Sequence, residues 1–338
     1  MNILGIESSC DETSAAVVVD GMLKSNVISS QLVHTKYGGI VPELASRAHQ
    51  LLIVPVVEDA LRDAGITKRQ LNGIAVTYGP GLAGALLVGL NFAKAFAYGL
   101  RIPFVGVHHM EAHIYANFIE EPKPHFPFLC LIVSGGHTQL VLVNDMSHHE
   151  LLGETLDDAA GEAYDKVAKM LGLGFPGGPI IDKLAEHGNQ SFIKFPRSYL
   201  DGNTFNFSFS GIKTSVLYWL RDHHPPTNNV PSAMNAQLLA DICASFQAAI
   251  VDVLIEKTLR AARELGVKDI AIAGGVSANS ELKRRMTSCA DERGYRLFIP
   301  KPEYCTDNGA MIAMLGYFRL KAGITSDFEL NAVPNLSM

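Results

Sequence analysis

The sequence predicts an α/β fold made of two similar lobes around a shared cleft. Residues 3–19 and residues 128–143 carry the same pattern, in which a buried strand enters a turn of small or polar residues and a second strand follows. This pattern is typical of hairpins. Helices and short apolar strands alternate after each hairpin. The simplest explanation is a duplicated lobe whose hairpin tip points into the cleft.

The first lobe is predicted over residues 1–125. An apolar run at 82–100 approaches the length of a transmembrane helix, but Asn91 and Lys94 within it favour a buried core helix. A short strand ends just before His109, and α/β folds place their sites at the carboxyl ends of strands. Apolar periodicity predicts the remaining elements, a helix at 54–64 and buried strands at 74–77 and 104–107.

The second lobe is predicted over residues 126–305. It contains a mostly helical insertion at about 153–241 and a buried strand at 270–273 that enters a glycine pair. A last helix at 306–323 is predicted to return to the first lobe. The polar residues 324–338 then form a loose tail.

Composition indicates a globular protein with a large core. The chain has 338 residues, of which 48% are hydrophobic and 18% charged. Its five cysteines form no C-x-x-C pair, and the N-terminus has no basic segment before an apolar one, so we expect reduced thiols and a cytoplasmic location without a membrane anchor. The net charge of −6 disfavours a protein that grips nucleic acid unaided, although a local basic face or a partner could supply the charge.

Two histidines one helical turn apart form a candidate metal site. His109 and His113 share one helix face and can converge on one ion. A zinc protease carries its general base directly after the first histidine, but here Met110 stands there and Glu111 faces away. Asp307 either completes a two-histidine, one-carboxylate set, which suits Fe²⁺ or Zn²⁺, or caps a helix. The alternative for the histidines is a helix start that only forms hydrogen bonds.

Two glycine turns follow buried strands and form a candidate phosphate site. The turns at 134–136 and 274–275 can bring backbone N–H groups close to phosphate oxygens. Each could also be an ordinary turn. Asn279 could contact a ribose or base, or cap a helix, and Asp182 could accept a hydrogen bond from a sugar hydroxyl.

Nine segments together closely resemble the tRNA threonylcarbamoyladenosine transferase family, once labelled sialoglycoprotein endopeptidases. They occur in the family's order and cover nearly the whole chain. The segments are residues 5–13, 37–49, 108–113, 133–140, 157–165, 175–179, 207–213, 274–279 and 305–311.

The resemblance implies an actin/Hsp70-like fold and a known reaction. Enzymes of this family transfer threonylcarbamoyl from threonylcarbamoyl-adenylate to N6 of adenosine 37 in tRNAs that read ANN codons, and release AMP. They bind ATP in the same cleft, and the bacterial members work with a smaller paralogous subunit and a P-loop ATPase. By position, the metal ligands are His109, His113 and Asp307, and the chemistry of this set favours Fe²⁺, with Zn²⁺ second. The implied adenylate contacts are Ile132, Val133, Ser134, Gly135, Gly136, Asp165, Gly178, Asp182 and Asn279.

The reaction also needs a base, because the attacking amine must lose a proton. Asp11 and Glu12, at the tip of the first hairpin, are the candidates. Two other functions stay open from the residues alone. One is a metalloprotease, and the other is a non-catalytic ATP-binding regulator, which needs the glycine turns but no pair of histidine ligands.

Overall fold

A computed structural model describes residues 1–31, 39–198, 204–224 and 234–338. Two positions of the segment 37–49 and two stretches of the expected insertion, 199–203 and 225–233, lie outside the described residues. The strands are β1 (Asn2–Glu7), β2 (Glu12–Val19), β3 (Met22–Ser30), β4 (Gly73–Gly79), β5 (Phe104–His108), β6 (Phe128–Val133), β7 (Thr138–Val143), β8 (His149–Glu154), β9 (Asp269–Ala273) and β10 (Arg296–Phe298).

The α-helices of the described residues fall into two size classes. Most are long enough to cover a sheet, and α3 and α9 are shorter. They are α1 (Pro42–Asp63), α2 (Ala83–Leu100), α3 (His109–Tyr115), α4 (Ala160–Met170), α5 (Gly177–Ala185), α6 (Ser210–His223), α7 (Ala236–Leu265), α8 (Ser280–Arg293), α9 (Pro302–Cys305) and α10 (Gly309–Lys321).

Local signals in the sequence set the ends of several helices. The side chains of Asn235, Asn279 and Asn308 each accept a hydrogen bond from a backbone N–H in the first turn of α7, α8 and α10. At the other end, α7 and α8 stop at Gly266 and Gly294, which have φ values of 69° and 71°. Glycine adopts this left-handed conformation without steric cost, so both helices end there.

The first unit comprises residues 1–123 and 300–338. Its sheet has the order β3-β2-β1-β4-β5, with the first three strands antiparallel and β1, β4 and β5 parallel. Alternate side chains of a strand point to opposite faces, so Leu4 and Ile6 pack with Val56 of α1 and Leu90 of α2 in one core.

The opposite face of this sheet is covered by α10. A Cβ on Gly5 would lie 2.3 Å from the backbone nitrogen of Ala313, and a Cβ on Gly316 would lie 2.1 Å from the side chain of Ala75. The helix therefore sits directly on the backbone of β1. This contact places the chain just before α10 at the end of β1, about 300 residues away in sequence.

The second unit comprises residues 124–299 and repeats the topology of the first. Its sheet has the order β8-β7-β6-β9-β10, again with three antiparallel strands followed by parallel pairing of β6, β9 and β10. The duplicated α/β organisation that the sequence predicts is therefore present. Each predicted hairpin carries a third strand, β3 or β8, that the sequence pattern did not reveal.

Residues 324–338 are not the loose tail that we expected. The Ser326 N–H donates to Phe104 O at 2.8 Å, and the Val333 N–H donates to Tyr78 O at 2.8 Å. Lys94 of α2 donates to Phe328 O at 2.7 Å. The segment covers the outer side of the edge strand β5, where Ser326 pairs with the backbone of Phe104 and Gly106. Residues 300–305 also belong to the first unit, so the second unit ends earlier than predicted.

The expected insertion at 153–241 also differs at both ends. The first residues of this range are the last residues of β8, and its last residues are the first turns of α7. Helix α7 forms much of the core of the second unit. The apolar run at 82–100 forms α2, which buries Leu90 and Ala97 but leaves Tyr98 75% exposed. Among the described residues, α2 and α7 are long and apolar enough to cross a membrane by length and composition alone.

Replacing Gly5 by alanine should destabilise the first unit. The added methyl group would press α10 away from β1, and overpacking of this kind costs about 1–3 kcal/mol in the free energy of unfolding. Denaturant titration measures this cost. Gly99→Ala is the matched control, because a Cβ on Gly99 meets no described atom within 4 Å. Equal stability of the two variants would contradict the close contact.

Candidate metal centre and nucleotide site

The end of β5 and the start of α3 position the two histidines. His108 caps α3, since its ring Nδ1 accepts a hydrogen bond from the Met110 N–H at 3.1 Å. His109 and His113 then lie one turn apart, with ring centroids 4.8 Å apart. Their side chains are 9% and 1% exposed, so neither ring is available to bulk water.

Asp307 joins the two histidines. Its Oδ1 lies 3.4 Å from Nε2 of His109 and 3.2 Å from Nε2 of His113. The residue that caps α10 is Asn308, whose side chain accepts a hydrogen bond from the Met311 N–H at 3.0 Å. This excludes the capping alternative for Asp307 and leaves its carboxylate directed at the two rings.

The three side chains fit a metal ion. Their ligand atoms all lie within 4.8 Å of one another. Ligands about 2.0–2.1 Å from one ion lie roughly 3–3.5 Å apart, close to the distances from Asp307 to the rings. Both ring nitrogens of His113 are buried without a hydrogen-bond partner among the described residues. Buried polar groups rarely stay unpaired, and an ion would satisfy the nitrogen that faces Asp307.

The sequence did not single out Glu7, which lies beneath the histidines. This last residue of β1 is fully buried, and its Oε2 lies 3.1 Å from Nδ1 of His109. Burial alone would lower the pKa of His109, but the carboxylates of Asp307 and Glu7 raise that pKa well above its usual value. A carboxylate in an otherwise apolar strand was the signal in the sequence that could have revealed this residue.

Glu111 has a structural role that rules it out as a protease base. Its carboxylate forms an ion pair with Arg319 of α10, and the same guanidinium donates to Gly106 O at 2.9 Å. A general base must reach the metal-bound water. Held by Arg319, Glu111 ties α3 to α10 instead.

The two candidate bases lie at the start of β2. Asp11 is in the turn after β1, and Glu12 is the first residue of β2. Burial raises the pKa of Glu12 to about 10, and the nearby carboxylates of Asp307 and Asp11 contribute to this rise. With no cation beside Asp307, Glu12 therefore keeps its proton near neutral pH.

His49 of α1 holds this acidic turn in place. Its ring is fully buried, with Nδ1 2.7 Å from Thr13 Oγ1 and Nε2 3.0 Å from Cys10 O. A carbonyl oxygen can only accept, so Nε2 donates to Cys10 O and Nδ1 accepts from the Thr13 hydroxyl. The turn with Asp11 is thus fixed by a helix that the sequence places some 40 residues later.

In the second unit, the two glycine turns lie at neighbouring strand ends. The turn at 134–136 follows β6, and a Cβ on Gly135 or Gly136 would meet no described atom within 4 Å. Gly274 follows β9 with φ 86°, and a Cβ there would lie 2.5 Å from Val133 O. Only glycine fits that position, and the open turn at 134–136 leaves its backbone accessible to a ligand.

A small cavity of about 130 Å³ collects three of the expected nucleotide contacts. Asn279 Nδ2 donates to Asp182 Oδ1 at 3.0 Å. The side-chain oxygen Oδ1 of Asn279 caps α8 by accepting from the Leu282 N–H at 2.9 Å. The capping alternative for Asn279 is therefore correct, and its amide group also reaches the cavity. The lining residues are Tyr164, Gly178, Pro179, Asp182, Val276, Ala278 and Asn279.

Three other residues that were expected to contact the nucleotide do not line this cavity. The side chains of Ile132 and Val133 are fully buried in the sheet, so these residues can offer only backbone groups. Asp165 accepts a hydrogen bond from the Gly177 N–H at 2.7 Å at the start of α5. The sequence did not single out Gln247, whose buried amide donates to Asp182 Oδ1 at 3.0 Å and accepts from Asn279 at 2.8 Å.

Comparison with known proteins decides the family. Residues 22–314 match the tRNA N6-adenosine threonylcarbamoyltransferase family. The chain belongs to this family. Relatives that carry the family name are 54% identical in Salinibacter ruber, over 100% of both chains, and 52% identical in Symbiobacterium thermophilum, over 99% of this chain and 96% of the relative. The resemblance in the sequence is confirmed, and the protein is a transferase that modifies tRNA.

Solved structures show the fold. HypF from T. kodakarensis has a TM-score of 0.63 at 16% identity, and the match covers 96% of this chain but only 48% of HypF. The activator of the 2-hydroxyisocaproyl-CoA dehydratase from Clostridium difficile, solved with bound ADPNP, has a TM-score of 0.51 at 13% identity over 100% of both chains. These likenesses confirm the predicted actin/Hsp70-like α/β fold.

Replacing His113 by alanine should abolish metal binding. The change removes one of the three candidate ligands, whose two ring nitrogens have no hydrogen-bond partner within the described part of the chain. We expect one divalent ion per wild-type chain and none in the variant, measured by elemental analysis after loading with Fe²⁺ or Zn²⁺ under anaerobic conditions. His148→Ala, which removes an exposed histidine, should keep the ion. A variant with full metal content would contradict the site.

Proposed function

We propose that this chain transfers threonylcarbamoyl from threonylcarbamoyl-adenylate to N6 of adenosine 37 in tRNAs that read ANN codons. The transfer uses one divalent metal, with Fe²⁺ favoured over Zn²⁺, and takes place in the cytoplasm. Family membership supports the tRNA substrate and the transferred group. The cluster of His109, His113 and Asp307 carries the proposal that a metal takes part.

The chemistry of the ligands supports the choice of metal. Two imidazoles and one carboxylate leave coordination positions open for a substrate, as in iron sites with two histidines and one carboxylate and in catalytic zinc sites. When bound, the ion supplies a Lewis acid that can polarise the carbamoyl oxygen or bind the phosphate. His109, His113 and Asp307 would hold it, and Glu7 lies behind His109.

The residues of the second unit suit the nucleotide half of the donor. The backbone N–H groups of Gly135 and Gly136 can bind phosphate oxygens, and the same groups can stabilise AMP as it leaves. The Ser134 N–H already donates to His137 O at 2.8 Å. Asp182 and Asn279 line the cavity of that unit and can exchange their mutual hydrogen bond for bonds to ribose hydroxyls. ATP would bind through the same groups.

Proton removal is assigned to the acidic turn. During transfer, N6 of the adenosine forms a bond to the carbamoyl carbon, the bond from that carbon to the phosphate oxygen breaks, and N6 loses a proton. We assign Asp11 as the acceptor of this proton, because burial is the largest cause that raises the pKa of Glu12, to about 10, and burial favours the protonated form of that residue. Glu12 in its protonated form can donate a hydrogen bond instead.

Neither alternative function has equal support. A metalloprotease lacks its base, because Glu111 pairs with Arg319. A non-catalytic ATP-binding regulator would not need a buried set of two histidines and one carboxylate.

The net charge of −6 also supports partners for this chain, since a smaller paralogous subunit and a P-loop ATPase could share the binding of tRNA.

Reconstitution tests the proposed reaction. Unmodified ANN-decoding tRNA is incubated with threonine, bicarbonate, ATP and the partner proteins, and its nucleosides are separated by chromatography and mass spectrometry. We expect N6-threonylcarbamoyladenosine only when this chain is present and metal-loaded. An ANN-decoding tRNA whose position 37 is not adenosine serves as the control. Equal product after complete metal removal would overturn the metal's role.

Conservative changes in the acidic turn separate its two carboxyl groups. Asp11→Asn removes the proposed base, so single-turnover transfer should slow by about 10²–10⁴-fold while AMP binding stays unchanged. Glu12→Gln keeps a hydrogen-bond donor and should retain more activity than Asp11→Asn. If Asp11→Asn transferred at the wild-type rate, the base would have to be another group.

A further inference from the structure

Glu7 is a buried carboxylate to which neither the sequence nor the proposed reaction assigns a role. It is fully buried, and both of its oxygens have polar partners. Oε1 accepts from the Ser9 N–H at 2.5 Å, and Oε2 accepts from the Thr77 hydroxyl at 2.6 Å. Oε2 also lies 3.1 Å from Nδ1 of His109. Burying a charge is costly, so an apolar residue would be expected at this position unless the carboxylate has a task.

The duplicated topology supplies a direct comparison. Ile6 pairs with Val76 of the neighbouring parallel strand, and Ile132 pairs with Ala273 at the equivalent position of the second sheet. The next residue is Glu7 in β1 and Val133 in β6, and both end their strands. The second unit thus shows that this strand end folds with an apolar side chain. The carboxylate is a special feature of the unit that carries the histidines.

The contacts fix the orientation of the His109 ring. An ionised carboxylate only accepts hydrogen bonds, so Nδ1 of His109 carries a proton and donates a hydrogen bond to Glu7. Nε2, which lies 3.4 Å from Asp307 Oδ1, is then the nitrogen that gives up its proton when an ion binds, and its lone pair becomes the ligand. Ser9 Oγ, 3.2 Å from the same Nδ1, is a second neighbour, but a hydroxyl can donate as well as accept and fixes no tautomer.

We propose that Glu7 is a positioning residue for the metal: it holds His109 in the tautomer whose Nε2 is free to bind the ion, and Thr77 and Ser9 hold Glu7. Carboxylates behind a ligating histidine commonly tune metal affinity in this way. The inference rests on the proposed metal binding, but it concerns affinity for the ion and not the transfer of threonylcarbamoyl.

Glu7→Gln is the informative variant because its orientation is predictable. The Ser9 N–H can only donate, so it selects the carbonyl oxygen of the glutamine. The amide nitrogen then faces Thr77, whose hydroxyl can accept, and also faces Nδ1 of His109. Because the amide nitrogen can only donate, Nδ1 of His109 must become the acceptor. The ring proton then moves to Nε2, where it blocks metal binding. The shape of the side chain is nearly unchanged.

The test measures the dissociation constant for Zn²⁺ by competition with a chromophoric chelator, on the full-length chain. Glu7→Gln should bind about 10–100-fold more weakly than the wild type. Thr77→Val, which frees one oxygen of Glu7, should show a smaller loss, and Thr77→Ser should restore the wild-type value. Thermal unfolding of the metal-free variants reports any general loss of stability.

Each outcome bears on the inference. Wild-type affinity in folded Glu7→Gln would overturn it and leave Glu7 as a tether for Ser9 and Thr77. If Glu7→Gln does not fold, nitrogen-15 NMR of the zinc-loaded wild type decides, because the ring proton of His109 must reside on Nδ1. A proton on Nε2 would overturn the inference. A wild type that binds no metal would instead refute the proposed metal centre.

Discussion

The direct contact between the backbones of β1 and α10 is the constraint on which the candidate metal centre depends. Gly5 has no side chain, and a Cβ there would lie 2.5 Å from Gly309 O. The first turn of the helix is also fixed to β2, because the Gly309 N–H donates to Ser14 Oγ at 2.7 Å. Asp307 precedes α10 by two residues. Its carboxylate is therefore carried to the histidines by the packing of a helix on a sheet, and not by a local loop.

The cost of buried charge explains the composition of the centre. Glu7 is a fully buried carboxylate and Asp307 a largely buried one, with 23% of its side chain exposed, and unpaired charges are unfavourable in such surroundings. Burial would raise the pKa of Asp307, but interaction with His109 lowers it. Two carboxylates and two neutral imidazoles would together balance the charge of one divalent cation, so the proposed metal binding and charge compensation have the same physical basis.

The two units show how one topology supports different chemistry. Both sheets have a strand that ends in a turn and continues into an antiparallel partner. In the first unit the turn is Ser8-Ser-Cys-Asp11, and in the second it is Ser134-Gly-Gly-His137. The acidic turn offers carboxylates beside the candidate metal centre, whereas the glycine turn leaves its backbone accessible to a ligand. The change at the strand end, Glu7 against Val133, belongs to the same divergence.

The sequence by itself determined the duplicated α/β class, the helix that pairs His109 with His113, the glycine turns and the family, because these are local patterns or ordered motifs. It could not place residues 324–338, whose packing depends on an edge strand far away in the chain. It also left Asp307 and Asn279 between capping and binding, since both roles suit a polar residue before a helix. The tertiary structure decided these cases through long-range packing: Asn308 caps α10 and frees Asp307, and β1 brings Glu7 beneath a histidine 102 positions later.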